Sequence, residues 1–222
     1  MRDAKAYFYD SIANEFEALT NSYDTKRRLE VVFDELLGGQ DLRDRTLLDV
    51  GCGSGWFSER AAARGARVVS LDIGLRLLAQ TARRCRTRPV AADACQLPFA
   101  DGVFDVVVSS ECIEHTPAPR TALEEICRVV RPGGAVVVTV PNQRWHFAVS
   151  IANALSLRPY RGYENWLGWG EVRQTLQGVG VAVEAMRGIH LFPFVIPVLN
   201  PLLRRIDVYG EQLGPIMVNI AV

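Results

Sequence analysis

The chain has 222 residues, 49% of them apolar and 23% charged, which supports one sizeable core and excludes both a multidomain machine and a mostly disordered chain. Lys plus Arg and Asp plus Glu each total 25, so the formal charge is zero and no overall basic field exists to gather nucleic acid or an anionic membrane. The five cysteines form no C-x-x-C pair, as expected of a reduced, cytoplasmic protein.

Residues 1–18 carry acids and no apolar run, which fits neither a secretory signal nor a transit peptide. Helical periodicity covers residues 5–37, with Tyr9, Ile12, Ala13 and Phe16 on one face, until Gly38 and Gly39 end it. Short, continuously apolar runs at 46–50, 67–72, 89–92, 104–109 and 135–140 then read as strands, and residues 56–64, 75–84 and 121–130 as helices between them. Strands of this kind separated by helices predict an α/β fold: a doubly wound parallel sheet, helices on both faces, ligands at the carboxyl ends of the strands. A helix at 170–178, a strand at 179–187 and a more alternating last strand at 215–222 complete the pattern. The expected organisation is a single domain: an N-terminal helical segment (1–39), a ligand-binding core (40–141), and insertions at 142–169 and 188–210. Residues 189–203 are the greasiest stretch, but Pro193, Pro197 and Pro201 break it and it falls short of the roughly 20 apolar residues of a spanning helix. Peripheral membrane contact stays open. Arg83, Arg84, Arg86 and Arg88 read as cations at a helix C-terminus.

The most informative run is LLDVGCGSG, residues 47–55. Glycines at 51, 53 and 55 turn the chain sharply from strand into helix and let backbone amides approach a ligand. The spacing is G-x-G-x-G with Cys52 inside the turn, and Trp56 stands where a dinucleotide fingerprint has its third glycine, which argues against a nicotinamide enzyme. Asp49, two residues before the first glycine, repels a phosphate and suits an ammonium group. Asp72 closes the second strand, where an acid accepts hydrogen bonds from ribose hydroxyls. Asp93 closes the third, where an acid accepts from an exocyclic adenine amine, and Ile73 and Leu97 offer apolar surface to the ring. Amine, ribose and adenine together describe S-adenosylmethionine.

LLDVGCGSG, the acid of VVSLDIG, AADACQLPFADGVFDVVVSS and the turn RVVRPGG resemble the successive motifs of the class I S-adenosylmethionine-dependent methyltransferases, strongly over residues 40–141 and weakly elsewhere. The resemblance implies a Rossmann-like seven-stranded sheet, mostly parallel with the last strand antiparallel. It implies that Asp49, Gly51, Gly53 and Gly55 hold the methionine part, Asp72 the ribose, and Asp93 with Ala94 the adenine; Cys52, in the same turn, and Ile73 count with them as candidate cofactor contacts. Ser109 and Ser110 would line the floor beside the sulfonium. Residues 7–13 resemble a lid helix over the cofactor, with Tyr9 near the methyl; core packing explains the same residues.

A sulfonium is already a strong electrophile, so alignment in a dry site is the main requirement. A hydroxyl acceptor also benefits from a base or a metal. Glu111, Glu114 and His115 fall at i, i+3 and i+4 and are expected on one helical turn, facing the acceptor. Three readings stand: His115 as catalytic base with the two glutamates, the three as ligands of a divalent cation such as magnesium, or a structural cluster. The E-x-x-E-H segment, followed by Pro117 and Pro119, resembles that of the ubiquinone-biosynthesis O-methyltransferases, where a divalent cation is associated with it. Trp145, Phe147, Tyr160, Tyr163, Trp166 and Trp169, with Phe192 and Phe194, are expected to wall an apolar acceptor pocket, cover a sheet edge or pair two subunits. His146 and His190 read as packing or surface residues.

The expected function is methyl transfer to the oxygen of a small-molecule acceptor, apolar or lipid-linked, with S-adenosylhomocysteine as product. Transfer to a small amine or amino sugar and a catalytically inactive cofactor-binding partner are the alternatives. A neutral chain without basic clusters near the acceptor loops argues against nucleic-acid substrates. Monomer and homodimer are both open.

Overall fold

The computed structural model describes residues 4–154, 162–191, 205 and 209–222. Strands β1 (Thr46–Val50), β2 (Arg67–Asp72), β3 (Arg88–Ala91), β4 (Phe104–Ser110), β5 (Val130–Pro141), β6 (Arg187–Ile189) and β7 (Asn219–Ala221) form one sheet in the order β3-β2-β1-β4-β5-β7-β6. The first five pair in parallel, while β7 runs antiparallel to both β5 and β6. This is the doubly wound sheet expected, with its antiparallel last strand.

The apolar runs form strands because both faces are covered. In β1 the period of two sends Leu47 into a layer with Phe33, Phe57 and Val106, and Leu48 into the opposite layer with Val107, Leu123 and Ile126. All six of the aliphatic side chains in this set are at most 2% exposed. Strand order reverses between β2-β1 and β1-β4, which opens a crevice at the carboxyl ends of β1 and β4.

The N-terminal region departs from the single helix expected over 5–37. It is broken into α1 (Phe8–Ser11), α2 (Phe16–Leu19) and α3 (Ser22–Leu29), followed by a π-helical stretch, Glu30–Leu36. The break precedes α3: Thr20 is extended and the Asn21 side chain accepts from the amides of Tyr23 and Asp24 at 3.1 and 3.3 Å, starting a new helix. Further on, α4 (Trp56–Ala63), α5 (Leu75–Arg84), α6 (Pro119–Val129), α7 (His146–Ala154) and α8 (Trp169–Gly178) lie close to their predicted positions where the sequence placed a helix.

Two strand expectations are corrected. Val179 and Gly180 turn the chain out of α8, residues 181–186 form no ladder, and pairing starts only at Arg187, where β7 offers β6 three partners. The last strand is confined to Asn219–Ala221, since Pro215 sits in a 3-10 turn, Gly214–Ile216. Tyr160, Phe192, Phe194 and most of the stretch 189–203 lie outside the described residues. Among the described residues no helix is long and apolar enough to cross a membrane.

Candidate functional site

A cavity of about 670 Å³ opens at the carboxyl ends of β1, β2 and β4. Its floor is the glycine turn. Gly51, Gly53 and Gly55 have φ of +73°, +52° and +93°, and the amides of Gly51 and Cys52 both donate to the Leu71 carbonyl, at 2.8 and 3.0 Å. A Cβ on Gly51 would run into Cys112 Sγ, so the turn lies against the next loop as only glycine allows. Asp72 accepts from Gly53 N at 3.0 Å and Gly74 N at 2.8 Å. Burial raises its carboxyl pKa, against those amides. Ile73, Ala94 and Asp93 continue the wall, with Asp93 accepting from Cys95 N at 2.8 Å.

Four predicted residues are not on the wall, among them Leu97, which is buried in the core rather than offered to a ligand. Asp49 is 2% exposed and sits behind the turn with Oδ2 2.6 Å from Ser58 Oγ, burial pushing its carboxyl up to about 7. Gly55 begins α4 beneath the surface. Ser109 is fully buried and donates to the Val50 carbonyl at 3.0 Å; of the serine pair only Ser110 reaches the cavity, because neighbouring strand residues point to opposite faces.

Glu111, Glu114 and His115 all line the cavity, but not from one helical turn. Glu111 has φ +51° and the 3-10 turn begins only at Ile113. The two glutamates therefore part company. Glu111 accepts from Thr139 Oγ1 at 3.2 Å and Asn219 Nδ2 at 2.9 Å. Glu114 is 2% exposed, and its Oε2 has no partner among the described residues. Burial, and then the neighbouring Glu111, push its carboxyl pKa well up. Among the described residues no three His, Cys, Asp or Glu side chains are grouped to hold a metal ion, and the magnesium set Glu111, Glu114 and His115 does not fit this geometry.

His115 Nδ1 lies 2.9 Å from the Tyr163 carbonyl oxygen. A carbonyl only accepts, so Nδ1 carries the hydrogen and Nε2 of the neutral ring is the acceptor. It accepts from Tyr9 Oη at 3.2 Å, across the cavity from the N-terminal segment. Glu114 Oε1 is 3.7 Å from the same nitrogen. The roof over this pair is tied along α5: Asp10 accepts from Arg76 N at 2.7 Å, Gln80 donates to the Ala13 carbonyl at 2.8 Å, and Arg84 pairs with Glu17.

At the far end lies a polar cluster absent from the sequence expectations. Arg28, 7% exposed, donates to Asp24 Oδ2 at 2.9 Å and Ser110 Oγ at 2.8 Å. Burial alone would raise the Asp24 carboxyl, but Arg28 and His190 hold it down at about 2. His190 was expected in packing or at the surface; it lines the cavity with Nε2 3.0 Å from Asp24 Oδ1 and φ +58°. The one signal available in the sequence was an arginine on the apolar side of a short amphipathic helix. Of the insertion aromatics, Trp166 reaches the wall, while Trp145 donates to the Ile216 carbonyl at 2.9 Å.

The chain fits the adenosyl-amino-acid ligand: Asp72 and Asp93 stand along one cavity with the glycine turn, and Ser54, 2% exposed, presents a buried hydroxyl in that turn without a partner among the described residues. Residues 48–138 match the methyltransferase domain family. The chain belongs to the class I S-adenosylmethionine-dependent methyltransferases. It is 30% identical to a ubiquinone biosynthesis O-methyltransferase of Acinetobacter baumannii over 72% of each chain. It is 35% identical to a demethylmenaquinone methyltransferase of Renibacterium salmoninarum over 61% of this chain and 58% of that one. Across the first three curated relatives it matches, the chain spans 53–58% of their length. In fold it resembles a chain of the complex between the Haloferax volcanii Trm112 methyltransferase activator and a methyltransferase, with TM-score 0.71, 19% identity, and coverage of 98% of this chain and 95% of that one.

Proposed function

We propose that the chain transfers the methyl group of S-adenosylmethionine to a hydroxyl oxygen of a small, largely apolar acceptor, leaving S-adenosylhomocysteine. Family membership supports the cofactor, and the relatives named for ubiquinone and demethylmenaquinone chemistry support a small acceptor. When bound, the cofactor supplies a methyl carbon on a positively charged sulfur. Gly51, Gly53 and Ser54 hold its amino-acid end, Asp72 its ribose, and Asp93, Ala94 and Ile73 its adenine, with Ser110 on the floor nearby.

The observation that carries the oxygen assignment is the tautomer of His115. With Nδ1 committed to the Tyr163 carbonyl, Nε2 faces the cavity as a base positioned to take a hydroxyl proton. Before the acceptor binds, Tyr9 donates to this nitrogen and orients the ring, and the acceptor hydroxyl takes the place of the tyrosine hydroxyl there. The N-terminal segment covers the cavity and excludes water from it. No step is assigned to a metal.

The test is formation of S-adenosylhomocysteine with a panel of catechols, lipid-linked phenols, amines and amino sugars. Phenolic acceptors should turn over, and His115→Ala should lower kcat by about 100-fold or more, the usual contribution of a general base, with little change in cofactor affinity. Full turnover by both His115→Ala and Glu114→Gln removes the base from the account, and turnover of amines alone overturns the oxygen assignment.

A further inference from the structure

A row of polar side chains behind the glycine turn has no part in the reading above. Asp49 Oδ2 is 2.6 Å from Ser58 Oγ, Ser58 Oγ is 2.6 Å from Ser70 Oγ, and Ser70 Oγ is 2.6 Å from Thr87 Oγ1. Thr87 Oγ1 in turn lies 3.1 Å from the Val68 carbonyl oxygen. Ser58 and Ser70 are fully buried, and Thr87, at the end of the row, is half-buried.

Hydrogens can be counted along this row. It contains four oxygen-to-oxygen contacts, each needing one hydrogen, and three hydroxyls supply three. The terminal carbonyl supplies none. All four contacts are satisfied when Asp49 is the neutral acid: its O–H donates to Ser58, Ser58 to Ser70, Ser70 to Thr87, and Thr87 to Val68. With Asp49 ionised, one contact is left as two facing acceptors. The surroundings agree with the count. Among the described residues, the titratable groups that interact with Asp49 are Asp72 on β2, Cys52 in the turn, Cys85 after α5 and Cys112 after β4, with no cation among them, and the hydroxyl and amide of Ser58 alone favour the ionised form against burial. An ionised Asp49 would be a buried charge beside a second acid, without a counterion.

We propose that this row of hydroxyls holds Asp49 as the neutral acid in the unliganded chain, and that Asp49 releases its proton when a cationic ligand group reaches the glycine turn, so that cofactor binding is proton-coupled. The inference rests on the S-adenosylmethionine reading of the cavity. An ammonium group at Gly51–Ser54 supplies the missing counterion in a low-dielectric setting, where its effect on a buried acid is large. The proton passes to solvent. The three hydroxyls then reverse: Ser58 donates to the carboxylate, Ser70 to Ser58 and Thr87 to Ser70, while the Val68 carbonyl gives up its hydroxyl partner.

Thr87 is the informative position because it is remote from the cavity. In Thr87→Val the row keeps two contacts and two hydroxyls, so an ionised Asp49 satisfies it fully and the neutral form loses its advantage. S-Adenosylhomocysteine is titrated calorimetrically into the full chain at about pH 6, where its own ammonium is already charged, in two buffers of different ionisation enthalpy. Close to one proton should be released by the unmodified chain, roughly a third of that or less by Thr87→Val, and none by Asp49→Asn. Binding whose heat is the same in both buffers overturns the proposal, as does a release that persists unchanged in either variant. Failure of the ligand to bind overturns the S-adenosylmethionine reading instead. The carboxyl 13C shift of Asp49 in the unliganded chain is a second requirement: titration near pH 7 is expected, and titration at about pH 4, the ordinary value for aspartate, overturns the proposal.

Discussion

Asp49, Asp72 and Glu114 are acids taken out of water around one cavity, and burial displaces each of their carboxyl pKa values upward. For Asp49 the consequence for stability has a definite sign. Its folded value of about 7 lies above the roughly 3.9 of an unfolded chain, so the native state binds the proton more tightly. That contribution is complete below about pH 4 and is lost as pH rises through 7, amounting to about 4 kcal/mol by linkage. Asp49→Asn keeps a donor towards Ser58 and has no proton to lose. Urea unfolding at a series of pH values should therefore show the variant gaining on the unmodified chain from about pH 4 to pH 7; parallel stability curves would sink this. The three strand-end acids were legible because each follows an apolar run directly. Arg28, Asp24 and His190 were not, since their meaning comes from partners far along the chain: Arg28 meets Ser110 across 82 positions, and Tyr9 meets His115 across 106.

At the scale of elements, the N-terminal segment shows how short helices gain stability from docking. α1 and α2 have four residues each, too few to persist alone. They are held by α5, whose first-turn amides meet Asp10 and whose Gln80 and Arg84 reach the Ala13 carbonyl and Glu17. Asp10→Ala removes a side-chain cap worth about 1 kcal/mol. S-Adenosylhomocysteine should then leave about fivefold faster in stopped-flow displacement, and deletion of residues 1–20 should weaken retention further; unchanged release rates in both would exclude a lid. Apolar periodicity placed a helix throughout 5–37 because it records which face is apolar, and it is silent on Asn21 ending one helix and starting the next. The strand expected at 179–187 failed for a related reason: extended propensity forms a strand only where a neighbour offers a ladder, and β7 offers three residues.

For the whole molecule, the sheet carries stability and the loops at its carboxyl edge carry the site. Ile126 on α6 is fully buried against the sheet and away from the cavity. Ile126→Ala should cost about 2–5 kcal/mol in chemical unfolding while leaving the calorimetric affinity for S-adenosylhomocysteine within about twofold. Loss of affinity in step with stability would show that core and site are not separable.

By itself the sequence determined the parallel sheet, the glycine turn and the acids at the ends of β1, β2 and β3, because these depend on local pattern: continuous apolar runs, positive-φ turns and residues adjacent to strand ends. Only the tertiary structure decided which of those acids faces the cavity and which lies behind it, that Glu111 and Glu114 diverge, and that Arg28 joins them. Those outcomes are set by the pleat of β4, by a left-handed backbone at Glu111 and by contacts between segments distant in the chain, none of which has a local sequence period to announce it.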